Sequence, residues 1–96
     1  MLEIRPTCEN CDKPLPNESH DAMICSFECT FCRDCVTNVL LNVCPNCGGG
    51  FVNRPIRPKK GLANYPASEK RKHKPVDMET YLPLQNKMKG IWPEER

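Results

Sequence analysis

Eight cysteines fall between residues 8 and 47, and the 49 residues that follow contain none. They come as four pairs, Cys8 and Cys11, Cys25 and Cys29, Cys32 and Cys35, and Cys44 and Cys47, separated by thirteen, two and eight residues. In a C-x2-C turn the backbone curls back, so both sulfurs reach one ion at about 2.3 Å; Zn²⁺ takes four such ligands in a tetrahedron. Two pairs complete one site, and four pairs complete two. Asn46 and Gly48 suit the turn of the last pair, because glycine tolerates a positive φ. A closed four-cysteine site leaves no coordination position for water or substrate, so both ions are expected to be structural.

The first 50 residues have few apolar side chains and form a head too short to hold itself together by a hydrophobic core alone. Metal or disulfides must supply the difference. The N-terminus "MLEIRPTCEN" has no signal-peptide stretch, and no apolar run approaches the roughly 20 residues that span a bilayer. The expectation is a cytoplasmic protein with no membrane partner. In that reducing compartment the cysteines read as thiolate ligands of two Zn²⁺ rather than as four disulfides.

Spacing alone leaves the grouping open between a sequential and an interleaved arrangement. "ECTFCRDCV" resembles the central stretch of RING fingers, and "CPNC" is similar to their C-P-x-C pair, with Cys29 standing where most have His. The resemblance implies a cross-brace: Cys8, Cys11, Cys32 and Cys35 on one ion, and Cys25, Cys29, Cys44 and Cys47 on the other. The local pattern agrees. "AMIC" (22–25) and "TFC" (30–32) predict a short hairpin around a turn at 26–28. "RDCVTNVLLN" (33–42) predicts a helix with Val36, Val39 and Leu40 on one face, stopped by Pro45. The expected fold is a small zinc-stabilised α+β RING-like domain over residues 1–52. An extended, partly disordered tail follows over 53–96.

Residues 1–75 are also similar to a bacterial family of short cysteine-rich proteins of unknown function. The similarity rests on "MLEIRPTCENCDKPLP", "ICSFECTFCRDC", "CPNCGGG", "RPIRP" and "NYPAS". It implies a small bacterial zinc protein and no particular activity. The RING resemblance raises ubiquitin-ligase function, but three places where RING ligases grip a conjugating enzyme depart from the pattern. They hold Asn10, the stretch "VTNVLLNV" without an aromatic, and Gly48. Thiol redox chemistry needs C-x-x-C at a helix N-terminus in a βαβ context, which this short chain does not provide.

Charge divides the chain as sharply as cysteine does. Residues 1–50 carry seven acidic and three basic side chains, whereas 51–75 carry eight Lys and Arg against Glu69 alone. "NRPIRPKK" favours an extended course. Its Arg54, Arg57, Lys59 and Lys60 are the candidates for contact with nucleic acid phosphate within a basic 54–74 segment. No aromatics are interleaved for base stacking, so a solvated linker or a strap across the head is the plainer reading. Pro83 and Gly90 bracket a short helix near 83–89, with Leu84 and Met88 one turn apart. Met78, Tyr81, Ile91 and Trp92 add apolar surface that either packs on the head or meets a partner. His20 and His73 read as surface residues. Together these features point to a non-enzymatic, two-zinc interaction module that binds another protein and no small-molecule substrate. A nucleic-acid-binding protein and a ligase-type domain are the rivals.

Overall fold

The hairpin forms where the residues place it. In the computed structural model, which describes residues 1–96, β1 (Ala22–Ile24) pairs antiparallel with β2 (Thr30–Cys32). Ala22 lies opposite Cys32, Met23 opposite Phe31 and Ile24 opposite Thr30. The connecting turn closes through the Glu28 N–H on Cys25 O at 3.0 Å, with Glu28 at φ +66°. A third strand, β3 (Val52–Asn53), adds to the other edge of β1, giving the order β2-β1-β3. The boundary expected between residues 52 and 53 therefore falls inside a strand.

The helix expected over 33–42 is shorter and wider. Its body is a π-helix, Cys35–Val39, in which the Leu40 N–H reaches back five residues to Cys35 O at 2.8 Å. Leu41 (φ +48°) and Asn42 (φ +61°) turn left-handed and end it before Pro45 does. Val36 and Leu40 are buried and Val39 is half-buried. With Leu15, Ala22, Phe31, Val43, Phe51, Tyr81 and six of the cysteines they make the core. Phe31 and Phe51 meet edge to face, their centroids 5.5 Å apart. The result is a small compact α+β fold in which cysteines supply six of the fourteen core residues.

Of the two plainer readings of the basic segment, solvated linker and strap, the tail follows the second: it packs against the head. Arg54 is only 3% exposed and donates to the carbonyls of Arg5 (2.9 Å), Leu15 (2.9 Å) and Pro16 (2.7 Å). Arg57 donates to Leu2 O at 2.7 Å and to Tyr65 O at 2.6 Å. Beyond the single turn α1 (Lys59–Leu62), a strap follows the first cysteine turn. Ser68 N–H donates to Ile4 O, Lys74 N–H to Glu9 O, and Val76 N–H to the Asn10 side chain, while Arg71 pairs with Asp12. The last helix, α2, spans Met78–Met88, so it begins well before the expected 83–89. Asp77 starts it by accepting from the Glu79 N–H at 3.1 Å, which leaves Pro83 inside the helix rather than at its first position. A final 3-10 turn, Pro93–Glu95, brings Arg96 onto Asn42 O (2.9 Å) and Gly48 O (3.1 Å).

Candidate metal centre

The first cluster is built on backbone that is bonded on both sides. The Cys8–Cys11 turn is clipped by a bridge between Thr7 and Pro14 and by the Cys8 N–H on Lys13 O at 2.9 Å. Cys32 ends β2, and Cys35 opens the π-helix one turn later. These elements bring the sulfurs of Cys8, Cys11, Cys32 and Cys35 within 4.8 Å of one another. Cys8 and Cys35 sulfurs are 3.8 Å apart, and those of Cys11 and Cys32 are 3.7 Å apart. Four thiolates at about 2.3 Å from one tetrahedral ion stand roughly 3.8 Å apart, so this donor set fits such an ion. All eight cysteines are free thiols.

Donors aim at these sulfurs. The Cys35 N–H points at Cys32 Sγ (3.5 Å), and the Asn10 amide donates to Cys35 Sγ at 3.4 Å. Burial pushes the Cys32 and Cys35 thiols up. Cys11 is lowered: its partial burial pushes the other way, but the Lys13 N–H and the neighbouring thiols outweigh it. A bound cation reverses the burial effect, because its own charge holds the ligands as thiolates.

The second cluster is less complete. Cys25, Cys44 and Cys47 lie within 4.8 Å of one another, and Cys29 stands outside that set. The Cys29 thiol is raised mainly by burial, with Asn46 and Cys25 as its side-chain neighbours. The loop that follows is shaped by glycine. Gly48 adopts φ +78°, its N–H donates to Cys44 O at 2.8 Å, and the Gly49 N–H points at Cys47 Sγ (3.4 Å). Burial pushes the Cys44 thiol strongly up, against the backbone N–H groups of Asn46 and Cys47 that oppose it. The cysteines that meet thus come from separated stretches of the chain, Cys8, Cys11, Cys32 and Cys35 in one cluster and Cys25, Cys44 and Cys47 in the other. His20 and His73 are exposed and belong to neither cluster.

Two of the four residues considered for phosphate contact are otherwise engaged. Arg54 is buried on three carbonyls, and Arg57 is held between Leu2 and Tyr65, while Lys59 and Lys60 remain exposed. Counting charge along the chain could not reveal this, since it treats every arginine as solvated. Sequence reasoning also missed Glu9. Its buried carboxylate accepts from Arg5 Nη1 (2.7 Å) and from the Thr30 N–H (2.8 Å), tying the first cysteine turn to β2. The one signal was Arg5 standing four residues before it.

The family model described as "Protein of unknown function (DUF1272)" matches residues 1–57. The chain belongs to this family. It is 57% identical over 75 residues to "Uncharacterized protein R02474" of Rhizobium meliloti (strain 1021), an alignment that spans 78% of this chain and 89% of that relative. No solved structure matches the chain. The matched family region contains both cysteine clusters, β1 to β3 and the π-helix, whereas α2 lies beyond it. No helix is long and apolar enough to cross a membrane.

Proposed function

We propose that this protein is a two-zinc, RING-like module that binds another protein and catalyses no reaction. The observation that carries this reading is the interleaving of the thiols, Cys8 and Cys11 with Cys32 and Cys35, and Cys25 with Cys44 and Cys47. Cys29 completes the second set. An all-thiolate tetrahedral donor set favours Zn²⁺ over harder cations. Zinc, when bound, supplies the folding energy that so small a core lacks. The protein's own residues orient the ligands: Asn10 and the Cys35 N–H at the first set, and the Gly49 N–H at the second. With all eight thiolates committed to metal, none is free for nucleophilic or redox work. Free thiols suit the reducing cytoplasm.

The rival readings are weaker on specific grounds. Ligase-type recruitment lacks its usual gripping residues at Asn10 and Gly48, and Asn10 is engaged internally with Cys35 and Val76. Nucleic-acid binding loses Arg54 and Arg57 to internal carbonyls. Native mass spectrometry of reduced protein tests the main reading, with two Zn²⁺ per chain as the expected outcome. Cadmium-113 NMR then tests the grouping: Cys8→Ser and Cys35→Ser should lose the same resonance, and Cys25→Ser and Cys47→Ser the other. A single ion, or four disulfides, would refute the proposal.

A further inference from the structure

Residues 71–74 of the strap close one side of a cleft of about 520 Å³ whose other side is the head. On the head side stand Asn46 and the buried Glu9 and Cys29; of the eight cysteines, Cys29 alone lines this cleft. The strap is anchored there through its backbone. Lys74 N–H donates to Glu9 O at 2.8 Å, and Val76 N–H donates to Asn10 Oδ1 at 2.9 Å. Arg71 faces Asp12, and Arg5 spans Glu3 and Glu9. Lys72 and Lys74 also line the cleft, and neither takes part in any ion pair of the molecule. Two unpaired cations are thus fixed beside the one thiol that stands outside the three gathered at the second cluster.

We propose that Lys72 and Lys74 are positioning residues of the second metal site: their charge offsets that of its thiolates and so favours Cys29 as the fourth ligand. The proposal rests on the two-zinc reading. Charge balance supports it. Arg5, Arg71, Lys72 and Lys74 bring four positive charges to the cleft, and Glu9 and Asp12 bring two negative ones. That leaves an excess of two positive charges. Four thiolates around one dication carry a net charge of two negative, which cancels the excess.

The same balance argues against a site for a free anion. A phosphate or sulfate group needs uncompensated positive charge, and a cleft already neutralised by its own thiolates offers little. The first cluster has no such arrangement. None of its cysteines lines the cleft, and the donors aimed at its sulfurs, the Asn10 amide and the Cys35 N–H, are uncharged. The strap should therefore act on the second site selectively.

The test is chelator competition on the full-length, cadmium-loaded chain, with each site followed by its own cadmium-113 resonance. Lys72→Gln/Lys74→Gln removes both charges and keeps the Lys74 backbone bond to Glu9 available. It should weaken cadmium retention at the second site roughly tenfold at low salt, as expected of two exposed charges in near contact, and leave the first site unchanged. Lys72→Arg/Lys74→Arg should retain cadmium as the wild type does. At about 1 M salt the Debye length is about 3 Å, so the loss should disappear. A loss of the same size at high salt would mark a merely structural role and overturn the proposal, as would equal weakening of both sites or no weakening at all. Sulfate, titrated at constant ionic strength, should not bind the metal-loaded wild type. Saturable sulfate binding that the glutamine variant abolishes would make the cleft an anion site and overturn the proposal. Should the glutamine variant fail to fold, the wild type decides: retention at the second site should fall more steeply with salt than at the first, and equal slopes overturn the proposal. Wild-type protein that takes up fewer than two ions counts instead against the two-zinc reading itself.

Discussion

The two thiol clusters use the same ligand at nearly the same spacing, yet they are assembled to different degrees. Cysteine turn, strand and π-helix converge to gather all four sulfurs of the first cluster, and Glu9 locks the turn to the strand. The second gathers three, and the fourth, Cys29, follows a turn whose Glu28 is held at positive φ. Its other half hangs on the Gly48–Gly50 loop, which is steadied from outside by α2, Pro93 and Arg96. The difference teaches that C-x2-C spacing sets which sulfurs are able to meet, while hydrogen-bonded backbone on either side sets whether they already have. Both clusters are braced from beyond the family region, the first turn by the 68–76 strap and the second loop by α2, Pro93 and Arg96.

The largest effect should come from removing metal altogether. A thiolate zinc site of this kind contributes on the order of 10 kcal/mol to folding, more than a core this small supplies. Chelation should therefore collapse both clusters together, seen as loss of dispersed amide resonances. A first cluster that kept its structure without metal would break the comparison outright by showing it to be self-sufficient.

Acid should then separate the two. Burial raises the Cys32 and Cys35 thiols in the first cluster and the Cys29 and Cys44 thiols in the second, so in the metal-free fold these groups favour the proton. Zinc must displace those protons, so the stability it provides is present at neutral pH and is lost as pH falls. The less assembled second cluster should release its ion at the higher pH. A colorimetric zinc indicator should record two steps on acidification, and a cysteine variant of each cluster assigns them. Simultaneous release would erase the distinction.

A smaller effect should follow from the helix. Tyr81→Ala removes a buried ring and its hydroxyl, at a cost of about 3 kcal/mol. Tyr81→Phe removes only the hydroxyl and should cost about 1 kcal/mol. Both should weaken metal retention at the second cluster more than at the first, measured by competition with a chelator. Gly50→Ala should have an effect of the same size as Tyr81→Phe. Its Cβ would stand 2.8 Å from the Pro93 ring, so the last turn must shift, at roughly 1 kcal/mol. Denaturant titration reads the stability change, and the second-cluster cadmium resonance should move while the first stays in place.

Much of the head was legible because its signals are local. The hairpin follows from two short apolar runs around a turn, and its register matches the residues that define it. The π-helix was only half legible. Val36, Val39 and Leu40 fit a helical period, but the wider turn is tied to the left-handed Leu41 and Asn42, which no propensity rule anticipates for leucine. The burial of Arg54 was not legible because its three acceptors lie 38 to 49 residues away in sequence. The start of α2 is written in the capping residue Asp77, but Pro83 also suits a first helical position and masks it.

What the sequence determined by itself is the chemistry of the head: eight thiols, paired by short covalent tethers that hold each couple within reach of one ion. Tertiary structure alone decided which pairs met, which arginines left solvent, and what Tyr81 and Gln85 came to rest on. The physical reason is the nature of the acceptors. Arg54, Tyr81 and Gln85 all donate to main-chain carbonyls, and a carbonyl is the same at every residue. Only the folded backbone shows which of them are left open, and where.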